Sequence, residues 1–283
     1  MKEITIKSPA KINITLDVLG RREDGFHDVC MIMQTVDLYD TVTLKQRQSG
    51  ISVSSNLPYL PTDSNNIAWR AAELFFEESG INGGVDIYLE KHIPVAAGLA
   101  GGSGNAAAVL KGLNNIYGDI FTEDRLAEIS AKIGSDIPYC IKGGTMLAEG
   151  RGEILTPLAK MPEVVFVLAK PDRNVSTAWV YRSLNVDGLV EHPDTAGCIK
   201  AIEDKDLNAV AVRMYNVLET VTSEKYKIIG ELKSVMIDKG AMGSVMSGSG
   251  PTVIGMFDNM SMAEAAAAEA LKYPANVHIT HTV

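Results

Sequence analysis

The run Pro94-Val95-Ala96-Ala97-Gly98-Leu99-Ala100-Gly101-Gly102-Ser103-Gly104-Asn105-Ala106-Ala107 is where this chain can do chemistry. Glycine leaves backbone N–H groups bare and lets a ligand come close. A helix start adds unpaired N–H donors and the positive end of a dipole. Together they make an anion site, most often for phosphate. Lys11 and Asn13 alternate onto one polar face of an early strand. Asp136 sits in Gly134-Ser135-Asp136-Ile137-Pro138, which by itself reads as a turn into a helix with Asp136 at its N-cap.

Known signatures narrow the reading. There is no G-x-x-x-x-G-K-[ST], so a Walker-type loop is excluded. Gly102-Ser103-Gly104-Asn105-Ala106-Ala107 fits a dinucleotide fingerprint, but a polar, proline-ended stretch precedes it where a buried strand should stand. Ser8-Pro9-Ala10-Lys11 matches an acyl-serine motif, yet it lies between strand patterns and lacks its K-T-G partner. The 5 histidines and 3 cysteines show no metal-ligand spacing. The cysteines, odd in number and scattered, suit a reducing cytoplasm.

The elements that must position these residues follow from periodicity. At 283 residues, 46% hydrophobic and 22% charged, the chain has the composition of a globular protein with room for two modest domains. No apolar run approaches a membrane span, and the N-terminus does not read as a signal peptide. The net charge of −9 argues against a nucleic-acid partner. Ile4 and Ile6 mark a strand, and Ile12, Ile14, Leu16 and Val18 mark the next. Residues 31–44 read as a strand pair, 66–79 as a helix and 85–90 as a strand. Helices are predicted over 105–117, ended by Gly118, and 123–133, capped by Thr122. Further on come a strand at 164–169 and helices at 176–184, 206–221 and 224–238. The glycine-rich 246–251 reads as a turn between helix and strand, before a strand at 253–257, a helix at 263–272 and a closing strand at 277–282. This order predicts two α/β sandwiches with mostly antiparallel sheets.

Pro9-Ala10-Lys11-Ile12-Asn13, the glycine-rich run, Gly134-Ser135-Asp136-Ile137-Pro138 and Met246-Ser247-Gly248-Ser249-Gly250-Pro251 resemble, in order, the GHMP kinase superfamily of small-molecule kinases. Gly20-Arg21-Arg22-Glu23-Asp24-Gly25-Phe26-His27, Gly150-Arg151-Gly152-Glu153 and Val175-Ser176-Thr177-Ala178 narrow the likeness to the branch acting on a cytidine-diphosphate-linked methylerythritol. The resemblance implies an α+β fold. An ATP-binding domain like the second domain of ribosomal protein S5 would span 1–152, and a ferredoxin-like domain 153–283. It implies ATP-dependent phosphorylation of the 2-hydroxyl of a small cytidyl diphosphate substrate by a cytoplasmic enzyme. Asp136 would be base or orienting residue, with Lys11 as its charge partner.

Further roles come with the resemblance. Asn13, Phe26, His27, Thr177 and Tyr181 match substrate-binding positions, with Phe26, His27 and Tyr181 set to sandwich the cytosine. Asn66, Lys91, Pro94, Gly98, Leu99, Ala100, Gly101, Gly102, Ser103, Gly104 and Asn105 match positions around ATP. Ser103 offers a hydroxyl to phosphate or Mg²⁺. Ser247, Gly248, Ser249 and Gly250 form a loop on the phosphate or substrate side. The chain departs from the pattern in four places. Ala96 and Ala100 replace glycines, Gly104 replaces a serine, and Phe26 replaces the usual tyrosine. Alanine takes φ > 0 only at a cost. Two other readings follow: another small-molecule kinase of the superfamily, acting on mevalonate, homoserine or a sugar, or a nucleotide-binding protein without catalysis.

Overall fold

Strand β1 (Glu3–Arg21) runs without a break through Ser8 and Pro9, so the two predicted alternations are one strand. Strand β2 (His27–Arg47) is likewise single, where a pair was expected over 31–44. No glycine or proline interrupts 31–44; buried Gln34, Thr35 and Asp40 disturb the alternation instead. The computed structural model describes residues 2–283 and divides into two compact units that share the chain out of order. One holds the described residues up to Ala10, then Leu38–Val95 and Ala100–Gly143. The other holds Lys11–Asp37, Ala96–Leu99 and Gly144–Val283.

In the first unit, β3 (Gly50–Ser55) lies parallel to β4 (Gly84–Glu90), which pairs antiparallel with residues 41–47 of β2. Helix α1 (Ile67–Ser79) starts where the Asn66 side chain accepts from the Ala68 amide, and stops at left-handed Gly80. Helix α2 (Gly101–Tyr117) begins four residues earlier than its periodicity predicted, with three glycines in its opening turns. Helix propensity argues against them there. At one of them the fit is close: a Cβ on Gly104 would lie 2.7 Å from Ser8 Oγ, so a side chain there would require that hydroxyl to shift. Thr122 caps α3 (Glu123–Ser130) as predicted, though the helix ends three residues early. The short α4 (Ile137–Lys142) follows. These helices and the sheet enclose one core, with Phe75, Leu44, Ile87, Val109, Leu110 and Leu113 almost wholly buried.

In the second unit, β5 (Thr145–Gly150) pairs antiparallel with residues 29–34 of β2, and β6 (Ile154–Pro157) with β5. Strand β7 (Val165–Pro171) is central to a separate sheet, and α5 (Thr177–Ser183) follows it, capped by Ser176. Then come α6 (Thr195–Glu203) and α7 (Leu207–Ala211). The helix predicted over 206–221 is broken. Strand β8 (Tyr215–Asn216) pairs with β1 at Thr15 and Leu16, and α8 (Glu219–Lys225) starts afterwards. Asn216 forces the break: its amide donates to the carbonyls of Met246 and Gly248 at 2.7 and 2.8 Å, while its oxygen holds the Leu218 amide. The predicted 224–238 helix is divided between the end of α8 and α9 (Ile228–Asp238). Strands β9 (Gly243–Met246) and β10 (Val253–Phe257) flank the 247–252 turn, which therefore joins two strands rather than a helix and a strand. After α10 (Met260–Ala270) comes β11 (Ala275–His281), and the sheet order is β11-β7-β10-β9, antiparallel throughout.

Candidate active site

The second unit knits four of the sequence motifs together. Lys11 Nζ donates to Asn13 Oδ1 at 2.7 Å, so the neighbours on the polar face of β1 are bonded, and both are buried. The Lys11 amide donates to the Leu99 carbonyl at 3.1 Å. Ser247 Oγ accepts from the Asn13 amide at 3.3 Å and donates to the Gly98 carbonyl at 3.0 Å. Gly98 has φ +75°, and a side chain there would run into the Ser247 carbonyl. A Cβ on Gly248 would stand 3.3 Å from the Gly98 carbonyl. The 247–250 turn closes on itself, with the Gly250 amide on the Ser247 carbonyl, and Ser249 Oγ meets Thr177 Oγ1 at 2.8 Å.

The ring side chains lie in the same unit. His27 and Tyr181 rings stand 5.1 Å apart, tilted by 38°. Phe26 is 52% exposed, so it is a surface ring rather than core, and Arg151 lies over it with its guanidinium carbon 5.1 Å from the centroid. Partial burial, and secondarily the charge of Arg21, hold His27 below the ordinary imidazole value of 6.5. A neutral imidazole can donate from one nitrogen and accept at the other, which suits the edge of a base.

The first unit, taken by itself, holds other residues singled out by the sequence. Ala100 is the N-cap of α2, at φ 55° and ψ 25°, with no side chain capping the helix. Ala96 is also left-handed, at φ 52°. Both alanines therefore occupy the conformation in which glycine is favoured, each at a cost of about 1–2 kcal/mol. The half-buried Ser103 lies in the first turn. A Cβ on Gly102 would fall 3.6 Å from Ile67 Cγ2, and one on Gly134 3.4 Å from Ile67 Cδ1. The start of α1, where Asn66 sits, thus lies beside both the α2 start and the turn holding Asp136. Asp136 is at the N-cap position of α4 but makes no side-chain capping bond to that helix. Lys91 is buried, and its Nζ pairs with Asp40 and donates to Asn105 Oδ1 at 2.9 Å. Burial pulls this ammonium below its ordinary value, while Asp40 pulls the other way.

Sequence reasoning missed Asp40 and Asn216, and gave Arg151 only as part of a motif without its place over Phe26. The signal for Asp40 was present: it is a carboxylate inside an apolar strand, where a charge needs partners. Asn216 gave none, because its partners are two backbone carbonyls about thirty residues downstream.

Residues 66–144 match the GHMP kinases N terminal domain, and residues 198–275 the GHMP kinases C terminal domain. The chain is 51% identical to a 4-diphosphocytidyl-2-C-methyl-D-erythritol kinase of Alkaliphilus metalliredigens (strain QYMF), over 94% of this chain and 92% of that protein. It is 49% identical to the enzyme of the same name from Acetivibrio thermocellus, over 93% of each. Among solved structures, a 4-(cytidine 5'-diphospho)-2C-methyl-D-erythritol kinase superposes with a TM-score of 0.84 at 31% identity, covering 99% of both chains. A homoserine kinase from Cytophaga hutchinsonii superposes with a TM-score of 0.80 at 18% identity, covering 100% of this chain and 95% of that one, a likeness of fold alone.

Proposed function

The chain belongs to the 4-diphosphocytidyl-2-C-methyl-D-erythritol kinases of the GHMP kinase family, and we propose that it transfers the γ-phosphoryl group of ATP to the 2-hydroxyl of 4-diphosphocytidyl-2-C-methyl-D-erythritol, in the non-mevalonate route to isoprenoid precursors. The observation that carries the substrate is the tilted pair of His27 and Tyr181 with Phe26 exposed next to His27. Flat rings suit a pyrimidine base, and a small polyol or amino acid has no use for them.

In this reading the 2-hydroxyl oxygen bonds to the γ-phosphorus as the bond to the β,γ-bridging oxygen breaks. The hydroxyl proton goes to the Asp136 carboxylate, or is aimed by it late in a loose transition state. Lys11, fixed by Asn13, neutralises charge on the group in transfer. Thr177 and Ser249 contact the substrate side, and the amides from Gly98 to Asn105 receive the nucleotide phosphates.

Among the described residues no three His, Cys, Asp or Glu side chains form a metal cage. Mg²⁺ keeps waters and takes phosphate oxygens with few protein ligands, so the Ser103 hydroxyl fits an ion carried in on the nucleotide. When bound, Mg²⁺ would offset phosphate charge. No helix among the described residues is long and apolar enough to cross a membrane. We read the chain as a cytoplasmic enzyme acting on a small molecule, without nucleic acid.

The test is ADP release with Mg·ATP and the cytidyl substrate, beside mevalonate, homoserine and galactose. Turnover with the cytidyl substrate alone is expected. Silence on all four from folded protein overturns the reading.

A further inference from the structure

Asp40 stands in the half of β2 that belongs to the first unit, and it is 0% exposed. A carboxylate out of water is costly unless its oxygens are matched by donors. Here they are. Oδ1 accepts from the amides of His92 and Ile93 at 2.7 and 2.8 Å. Oδ2 accepts from Lys91 Nζ and from Asn105 Nδ2, the latter at 2.9 Å. Asn105 Nδ2 also reaches Ser8 Oγ at 3.2 Å.

The partners matter by their place in the chain. His92 and Ile93 immediately precede Pro94, where the glycine-rich run begins, and Asn105 lies early in α2, where it ends. One carboxylate therefore holds both ends of residues 94–104. A Cβ on Gly101 would come 3.2 Å from Lys91 Nζ, so the cluster sits directly against the first residue of α2. A hydrophobic trio could fill this space with equal or better stability. It could not hold two backbone amides and a helix side chain in register. The run between needs such holding, because Ala96 and Ala100 persist in left-handed conformations only if their surroundings fix them.

We infer that Asp40 is a positioning residue for nucleotide binding: it sets the spacing between the entrance of the glycine-rich run and the start of α2, and touches no substrate itself. The inference rests on the kinase reading above.

The experiment compares the parent protein with Asp40→Asn and Ser8→Ala. Mg·ATP binding is measured by calorimetry, and both KM values by ADP release. Asp40→Asn turns an acceptor into a donor facing Lys91 and Asn105. It is expected to raise the Kd and KM for ATP about ten-fold, with the KM for the cytidyl substrate within about two-fold of the parent. Ser8→Ala removes one hydrogen bond from Asn105 and is expected to weaken ATP in the same direction, about two- to five-fold. A role limited to stability would move both KM values together or neither, and either result overturns the inference. If Asp40→Asn does not fold, Ser8→Ala decides alone. A parent that binds ATP without turnover sinks the kinase reading but leaves the binding comparison to judge Asp40. A parent that binds no ATP overturns both.

Discussion

Ser247 Oγ donates to the carbonyl of Gly98 at 3.0 Å, across 149 positions of sequence. The same oxygen accepts from the Asn13 amide, so one hydroxyl ties the β9–β10 turn to the glycine-rich run and to the strand carrying Lys11. Ser247→Ala deletes two hydrogen bonds and little volume. At about 0.5–1.5 kcal/mol each, their loss should lower kcat/KM for ATP about ten-fold while the fold persists. Unchanged steady-state kinetics would reduce Ser247 to a packing residue.

Ala96 and Ala100 carry backbone strain that glycine would relieve. Glycine gives back part of the gain through its larger unfolded entropy. Ala96→Gly and Ala100→Gly should each stabilise the protein by about 0.5–1 kcal/mol, read as a higher urea midpoint at constant slope. A lower midpoint for either would mean that its left-handed conformation carries no strain.

His27→Ala should weaken binding of the cytidyl substrate far more than binding of ATP, and equal losses would remove His27 from the base pocket. The pH dependence has a definite sign. Burial and Arg21 hold His27 below 6.5, so it is neutral at pH 8 and gains its proton only on the acid side of about 6.5. If the neutral ring meets the base, the KM for the cytidyl substrate stays flat from pH 8 downward and rises only below that value. In His27→Gln the acid-side rise should vanish.

Asp136→Asn should cut kcat at least about a hundred-fold and leave both KM values near the parent. Because Asp136 makes no capping bond to α4, the substitution should leave that helix start intact, with loss of turnover exceeding any loss of thermal stability. A large loss of stability with modest loss of turnover would return Asp136 to a structural role.

Much of this was legible in the chain. The shared face of Lys11 and Asn13 followed from period two, and the end of α2 and the start of α3 from Gly118 and Thr122, each a local signal with a local cause. The cost foreseen for Ala96 and Ala100 appears in their dihedrals. What stayed hidden depended on distant partners. Strands β5 and β9 are short and lack clean alternation. β8 is two residues long and exists because β1 and the 246–248 carbonyls hold it. The early start of α2 needed knowledge of how near Ser8 lies to Gly104. Asp40 called for four sequence-distant partners before its burial made sense.

The second unit draws on the chain from Lys11 onward, yet its pairings close late. Residues 29–34 of β2 find β5 only at 145–150, and Thr15 and Leu16 find β8 only at 215–216. A ribosome adding about 5–20 residues per second leaves the first of these edges waiting several seconds, and the second longer. During that wait the nascent protein exposes Met31, Ile32 and Met33, all buried once synthesis is done. The same threading that lets β1 and β2 serve both units gives the newborn chain an open strand edge that helper proteins, or other copies, can reach first.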